Sequence, residues 1–544
     1  MKLNIKKGIE AVMIFGTCMM LHTSCTRDFE EINKNPLYPD KEAEQWDGVL
    51  NSAYLPDLQK NVIAVGTAAD RTDFVNKYQV AFNLAGDSWA GYHSPRDAKW
   101  EGGTSFSNFF FPNNWVNNTF GWMVTDVFAP WMQLRKITMT DVNPNKEMFA
   151  LAQISKIMAL HRTTDMFGPI PYSQVGSGNF KVAYDSQQSV YQSFFKELEE
   201  AVETLTAFYG AGNVVVPFTK DADVVYEGDV EKWIRLANSL MLRLAIRVRF
   251  ADEGLAREYA VKAVEHPIGV IENPSQAAKM DKGAGLQMRH SLIEITENYN
   301  DTRMGATIQC YLKGYGDPRL QVYFKPGASN TFDAVRAGIP STGNSYNDYA
   351  IPNVKETTPT YWMKASEVFF LKAEAALAGF DMGGKTPKYF YEKGIEMSFE
   401  ENEVNIGSYL GSTSQPDSYT DRVKPEYSST APGSVTVAWD EAMDMEHKLE
   451  KIITQKYLAI YPDGHEAWSE WRRTGYPRQI PPVVNLTNKG VMMSDGYKDG
   501  VRRMPYPRAE YDNNIENLQK AISEYLGGMD NAATNVWWDK KPKK

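Results

Sequence analysis

Five of the 13 tryptophans crowd into one stretch of the chain: Trp89, Trp100, Trp115, Trp122 and Trp131. They alternate with Tyr92, Phe106, Phe109, Phe110 and Phe111 and with many Asn, Gly and Ser. That mixture suits a sugar. The axial C–H faces of a pyranose pack on a flat aromatic ring, while Asn and Asp side chains exchange hydrogen bonds with hydroxyls. A concavity with an apolar platform and a few polar anchors is the usual form of such a site. Trp89, Tyr92 and Trp115 sit among loop-type residues and are candidate ligand contacts. The competing role for them is buried packing beneath a long loop. Trp122 and Trp131 fall in a helical pattern and are assigned to packing. Asp87 either accepts from sugar hydroxyls or caps a turn, which is the commoner use of Asp.

The run His465-Glu466-Ala467-Trp468-Ser469-Glu470-Trp471-Arg472-Arg473 invites a metal or acid–base reading. Its spacing is not His-Glu-x-x-His, and the whole chain holds only seven His. Trp468 and Trp471, at i and i+3, fit core packing, and the arginines fit carbonyls or carboxylates at a helix end. His161, Arg162 and Asp165 likewise suit a helix end. No nucleophile elbow, phosphate loop or dinucleotide fingerprint occurs. A glycoside hydrolase stays open as an alternative, because two catalytic carboxylates need no fixed spacing in sequence.

The elements that must carry these residues are helical. From Glu231 to Phe250, Trp233, Ala237, Leu240, Met241, Leu244, Ala245 and Val248 recur on one face. Arg235, Arg243 and Arg247 lie off that stripe, so the pattern reads as a half-buried helix. Met445, Leu449, Ile452, Ile453, Lys456 and Ile460 repeat it, with the Lys456 stem able to snorkel. Helices are expected in neighbouring pairs: about 123–139 with 148–166, 187–206 with 230–250, and 361–378 with 387–402. A further helix at 441–461 is followed by one at 464–474. The fold class is therefore mainly α, a tetratricopeptide-like stack of helical pairs interrupted by insertions, with an irregular all-α domain as the alternative. Long Gly/Asn/Pro/Ser-rich stretches at about 83–121, 268–350 and 405–440 form the insertions. Loops of that length are usually functional or carry structure of their own.

The N-terminus reads as an export signal: basic Lys2, Lys6 and Lys7, an apolar run from Ala11 to Leu21, then His22-Thr23-Ser24-Cys25. The apolar run is shorter than the roughly 20 residues a membrane-spanning helix needs. Ending on Cys25, it resembles a bacterial lipoprotein signal, in which residues 1–24 are removed and the cysteine is acylated. An ordinary secretory cleavage, or one near Cys18, is the alternative. Residues 25–45 then form a lipid anchor and tether, and 46–544 the folded domain. Net charge is −10 and becomes −12 once Lys2, Lys6, Lys7 and Glu10 are removed. So acidic a body is a poor partner for nucleic acid or anionic lipid, leaving the acyl chain as the membrane contact. With Cys18 removed and Cys25 acylated, Cys310 stands alone and no intramolecular disulfide can form. A buried thiol is expected there.

Several segments together resemble the SusD/RagB family of surface nutrient-binding lipoproteins. They are Phe29-Glu30-Glu31-Ile32-Asn33-Lys34-Asn35-Pro36, Asn83 to Tyr92, Arg162 to Tyr172, Gly316-Asp317-Pro318-Arg319-Leu320, Leu371 to Ala375, Ile452 to Pro477, and Arg502 to Pro507. Their order and near end-to-end coverage carry the resemblance. It implies a tetratricopeptide-like scaffold whose insertions form the ligand face, and a binder, not an enzyme. It also implies a partner, a SusC-like TonB-dependent transporter that receives oligosaccharide, or alternatively peptide. The acids after Cys25 resemble the signal that sends Bacteroidota-type lipoproteins to the outer face of the outer membrane. The family's site draws on an early loop and a mid-chain loop. By position the second is Tyr299-Asn300-Asp301-Thr302-Arg303 with Tyr346-Asn347-Asp348-Tyr349, adding Tyr299, Asn300, Arg303 and Tyr346 as candidates. No cofactor is expected; Ca²⁺ is compatible with an Asp-rich loop, but EF-hand spacing is absent.

Overall fold

A side-chain oxygen stands at the start of helix after helix. Asn145, Ser186, Asp229, Asp252, Thr386, Asp444 and Asp463 each accept from the backbone N–H three residues on, at 2.8–3.2 Å. Each satisfies a donor that has no partner inside its own helix. The computed structural model describes residues 49–281, 288–340, 342–487 and 500–543. The chain divides into two units, Met1–Leu50 and Asn51–Lys544, and the second carries the helices and the insertions. The expected signal 1–24, the tether 25–45, Cys25 and Phe29 to Pro36 lie outside the described residues.

The scaffold is a stack of α-helices: α1 Asp126–Thr138, α2 Lys146–Phe167, α3 Gln187–Gly210, α4 Val230–Val248, α5 Glu253–Glu265, α6 Ala365–Leu377, α7 Pro387–Glu401, α8 Met445–Ala459 and α9 Gly464–Thr474. Neighbours in sequence pack on each other from α1 through α5, and α4 also packs on α6; α6 in turn holds α7 and α8. The mainly α, tetratricopeptide-like pairing read from periodicity is the architecture observed. Among the described residues no helix is long and apolar enough to cross a membrane.

Two readings of the polar residues need correction. Arg243 and Arg247 do not mark a solvent face, and Lys456 does not snorkel; all three are shut inside the stack. Burying a charge is tolerable only when it is paired and hydrogen-bonded. Arg243 donates to Glu367 Oε1 and Oε2 at 2.8 and 2.6 Å, and Arg247 to Glu466 and Glu470 at 2.5 Å each. Lys456 Nζ lies 2.9 Å from Glu466 and Arg473 2.5 Å from Glu374. The carboxylates of α6 and α9 thus neutralise the cations of α4, α8 and α9. Burial pushes the Glu466 carboxyl up, but Arg247, Lys456 and Arg243 outweigh it and hold it well below its ordinary range. The 465–473 run is structural, as its spacing suggests: Trp468 and Trp471 are buried, and Arg472 donates to the carbonyls of Asp165 and Arg502.

The insertions carry structure of their own. The 83–121 insertion begins inside a π-helical segment, Gln79–Asp87, and continues through short 3-10 turns to a helix, Asn113–Phe120. The π-helical segment packs on α9 through two glycines that permit close approach. A Cβ at Gly464 would stand 2.3 Å from Asp87 Cα, and one at Gly86 would stand 2.9 Å from the His465 backbone nitrogen. Residues 268–350 contribute strands to two-stranded ribbons and short helices, while 405–440 carries 3-10 turns and an antiparallel bridge between Tyr419 and Ser429.

Candidate ligand-binding site

A ribbon joins the early and mid-chain insertions. His93–Pro95 runs antiparallel to Thr302–Met304, with Ser94 opposite Arg303 and Pro95 opposite Thr302. Beyond it, Arg96 Nε donates to Asn300 O at 2.5 Å, Gln79 Nε2 donates to Asp301 Oδ2 at 2.5 Å, and Lys99 pairs with Asp301. Arg303 extends the junction: Nε donates to Tyr346 O at 3.1 Å, and Nη2 to Asn300 Oδ1 at 2.7 Å and Asn347 O at 2.9 Å. Burial, reinforced by nearby Arg96, lowers the Arg303 guanidinium to about 10. The two loops singled out in the sequence are therefore brought together, with Arg303 as the staple between 299–303 and 346–349.

Most of the candidate side chains serve that framework and offer no face to a ligand. Asp87 is 1 % exposed and neither caps a turn nor faces solvent; it meets His93 Nδ1 at 3.2 Å and Asn83 Nδ2 at 3.3 Å. Burial raises its pKa. Trp89 lies inside, donating from Nε1 to Phe106 O at 2.9 Å, with its ring 4.6 Å from that of Trp468. Tyr92 is fully buried and its hydroxyl donates to Tyr457 O. Tyr346 is buried as well and donates to Asp421 Oδ2 at 2.9 Å. Tyr299 and Asn300 are half-buried; the Tyr299 hydroxyl donates to Asn76 Oδ1 at 3.1 Å, and Asn300 holds a left-handed φ of 52°.

Trp115 is different. It lies on the helix Asn113–Phe120, not in a loop, and is half-buried. A line of aromatic rings leads out to it from the core: Trp468, Trp89, then Phe106 at 5.8 Å, Trp115 at 5.3 Å and Trp100 at 5.4 Å. Trp100 and Trp115 meet at an interplanar angle of 88°. Together with Thr104, Phe110, Pro112, Asn113 and Asn114 they line a cavity of about 520 Å³. Asn113 and Asn114 are exposed. The cavity thus combines aromatic walls with amides, the chemistry that composition pointed to, and no Asp or Glu lines it. Sequence alone does not mark Trp100, Phe110, Asn113 and Asn114 as contacts. The available signal is Pro112, which restricts the chain just before the short helix and sets its entry. Trp122 is half-buried against the core and Trp131 is buried. Among the described residues no group of three or more His, Cys, Asp or Glu is placed to hold a metal ion.

Known proteins share this architecture. The family model described as "SusD-like: Susd and RagB outer membrane lipoprotein" matches residues 31–539. Among solved structures, the chain is similar to a chitin-binding SusD homologue from Flavobacterium johnsoniae, at 34% identity and TM-score 0.84, covering 91% of this chain and 99% of that one. It is similar to a SusD homologue from Bacteroides uniformis at 37% identity and TM-score 0.81, covering 90% and 99%. A SusD homologue from Bacteroides thetaiotaomicron follows at 34% identity and TM-score 0.79, covering 91% and 99%. Among curated proteins, none matches.

Proposed function

Because the chain belongs to the SusD-like family of outer membrane lipoproteins, we propose that it captures an oligosaccharide at the Trp100–Trp115 cavity and delivers it to a SusC-like TonB-dependent transporter. The observation that carries this reading is the pair of half-buried indoles set at 88° beside the exposed amides of Asn113 and Asn114. Such walls hold a pyranose by stacking while the amides engage its hydroxyls. A lining without carboxylates has no acid–base pair for glycoside hydrolysis, which supports a binder over an enzyme. The reading calls for no cofactor. The lipid on Cys25 would hold the protein at the outer cell surface and raise the ligand's local concentration at the transporter.

The test is calorimetric titration of the protein against an oligosaccharide panel. Chitin oligomers come first, because a 34%-identical structural relative is described as chitin-binding. Saturable binding to one glycan class, lost in Trp115→Ala, supports the site and the ligand class. Hydrolysis products appearing in the same mixture would sink the pure-binder reading, and binding of peptides alone would move the function to peptide capture.

A further inference from the structure

Behind Trp89 lies a small hollow of about 40 Å³, whose walls include Ser88, Thr307, Arg336, Trp471 and Gln479. Three polar atoms of this wall have no hydrogen-bond partner among the described residues: Ser88 Oγ, Trp471 Nε1 and Gln479 Nε2. Ser88 and Trp471 are each 3 % exposed, so bulk solvent does not serve them. A buried polar group left unpaired costs roughly 1–3 kcal/mol, and natural structures rarely leave one so. The indole and amide nitrogens can only donate, and the serine hydroxyl can donate. Thr307 Oγ1 already accepts from the Ile480 backbone N–H at 3.2 Å.

The charge of the wall points the same way. No Asp or Glu lines the hollow. Arg336 donates to carbonyl oxygens, Pro481 O at 2.8 Å and Tyr427 O at 2.9 Å, and pairs with no carboxylate among the described residues. Burial lowers its guanidinium, and the nearby Tyr419 and Asp421 only partly offset that. Three unpartnered donors on one wall, beside a cation engaged in no ion pair among the described residues, call for an occupant that accepts and carries negative charge. At roughly 10–15 Å³ for each water-sized occupant, the space admits a monatomic anion or up to about three waters, and no pyranose.

We propose that this hollow is a halide site, holding one chloride between Trp471 Nε1, Ser88 Oγ and Gln479 Nε2, with Arg336 supplying the balancing charge. The site is independent of the glycan reading. It also has a structural consequence, because Ser107 and Phe109 share its wall; the anion ties the loop leading to Phe110 against α9.

Bromide is the probe. Crystals of the protein soaked in sodium bromide are expected to show an anomalous peak at the bromine edge, within hydrogen-bond reach of Trp471 Nε1 and Ser88 Oγ. Trp471→Phe, which keeps a ring and removes the donor, should lose it; Ser88→Ala serves if that variant does not fold. In solution, Tm should rise saturably as chloride replaces gluconate at fixed ionic strength, as binding to the folded state alone requires, and the rise should vanish in the variant. Water-like density with no anomalous signal, or the same Tm in both salts, overturns the proposal.

Discussion

The indole of Trp100 meets that of Trp115 edge to face, 5.4 Å between centroids. The two residues come from different segments, one just after the ribbon strand His93–Pro95 and the other on the helix Asn113–Phe120. Behind Trp115, Phe106 presents its own ring at 78°. Trp115 is therefore held by an edge on either side, in the geometry aromatic quadrupoles prefer. A platform fixed in this way needs little ordering when a ligand arrives, which favours affinity.

This gives a contrast between two tryptophans. Trp115→Ala should weaken glycan binding about tenfold or more, corresponding to roughly 1.4 kcal/mol, while leaving the fold intact because the side chain is half-exposed. Trp89→Ala should instead cost about 3–5 kcal/mol of stability, the range for emptying a buried aromatic site. Urea unfolding and calorimetric titration of the two variants separate the effects. A Trp89→Ala protein of unchanged stability that fails to bind would contradict this division.

Arg303 offers a test of the junction between insertions. Its guanidinium reaches Tyr346 O, Asn347 O and Asn300 Oδ1. Arg303→Met keeps much of the stem and removes every donor, stripping these oxygens of their charged partner. A loss of roughly 2–4 kcal/mol is expected from hydrogen bonds to a charged group. Limited proteolysis should then cleave within 343–349 faster than in the unaltered protein. Equal cleavage rates would show that the loops hold together without the staple.

The helical pairs were legible because an apolar stripe repeats at helical period whatever the helix packs against. The buried charges were not. Arg243 and Arg247 stand at i and i+4 on α4, and Glu466 and Glu470 at i and i+4 on α9. Each spacing is visible in sequence, yet it describes a solvated face equally well until the partner helix is known. The site shows the same limit. Composition located the aromatic loop, but Trp89 and Trp115 belong to the same kind of sequence and differ only in whether α9 covers them. The polar ends of Arg303 and Asp301 met partners on segments that no local pattern connects.

The charge network makes acid stability a specific expectation. Burial pushes Glu374 up, but Arg473 and Arg249 outweigh it and hold the carboxyl down to about 2, against an ordinary value of 4.5. A carboxylate depressed by folding contributes stability that is fully present above the unfolded value and is lost as pH falls toward the folded one. The window is therefore pH 4.5 down to about 2, and the contribution is on the order of 3 kcal/mol. Glu374→Gln should be less stable at neutral pH by roughly 3–5 kcal/mol, because Arg473 and Arg249 lose a buried partner. Its urea midpoint should also fall less steeply through that acid window. Parallel pH profiles for the two proteins would remove Glu374 from the account.

Cys310 reports on the core without any added probe. It lies on the helix Ala306–Gly314 at 1 % exposure, and burial pushes its thiol up from 9.0 to about 12. The thiolate is the reactive species, so that rise cuts its population about a thousandfold at mildly alkaline pH. Burial also bars the reagent. Alkylation at about pH 8, just below the ordinary thiol range, should therefore proceed only through unfolding, at a rate that climbs with urea in step with the loss of helical circular dichroism. If the native protein labels as fast as a free thiol, then the helix carrying Cys310 opens independently of the stack. The ribbon end at Gly305 and the contact of Gly314 with Gln415 and Pro416 would then be the places where that opening begins.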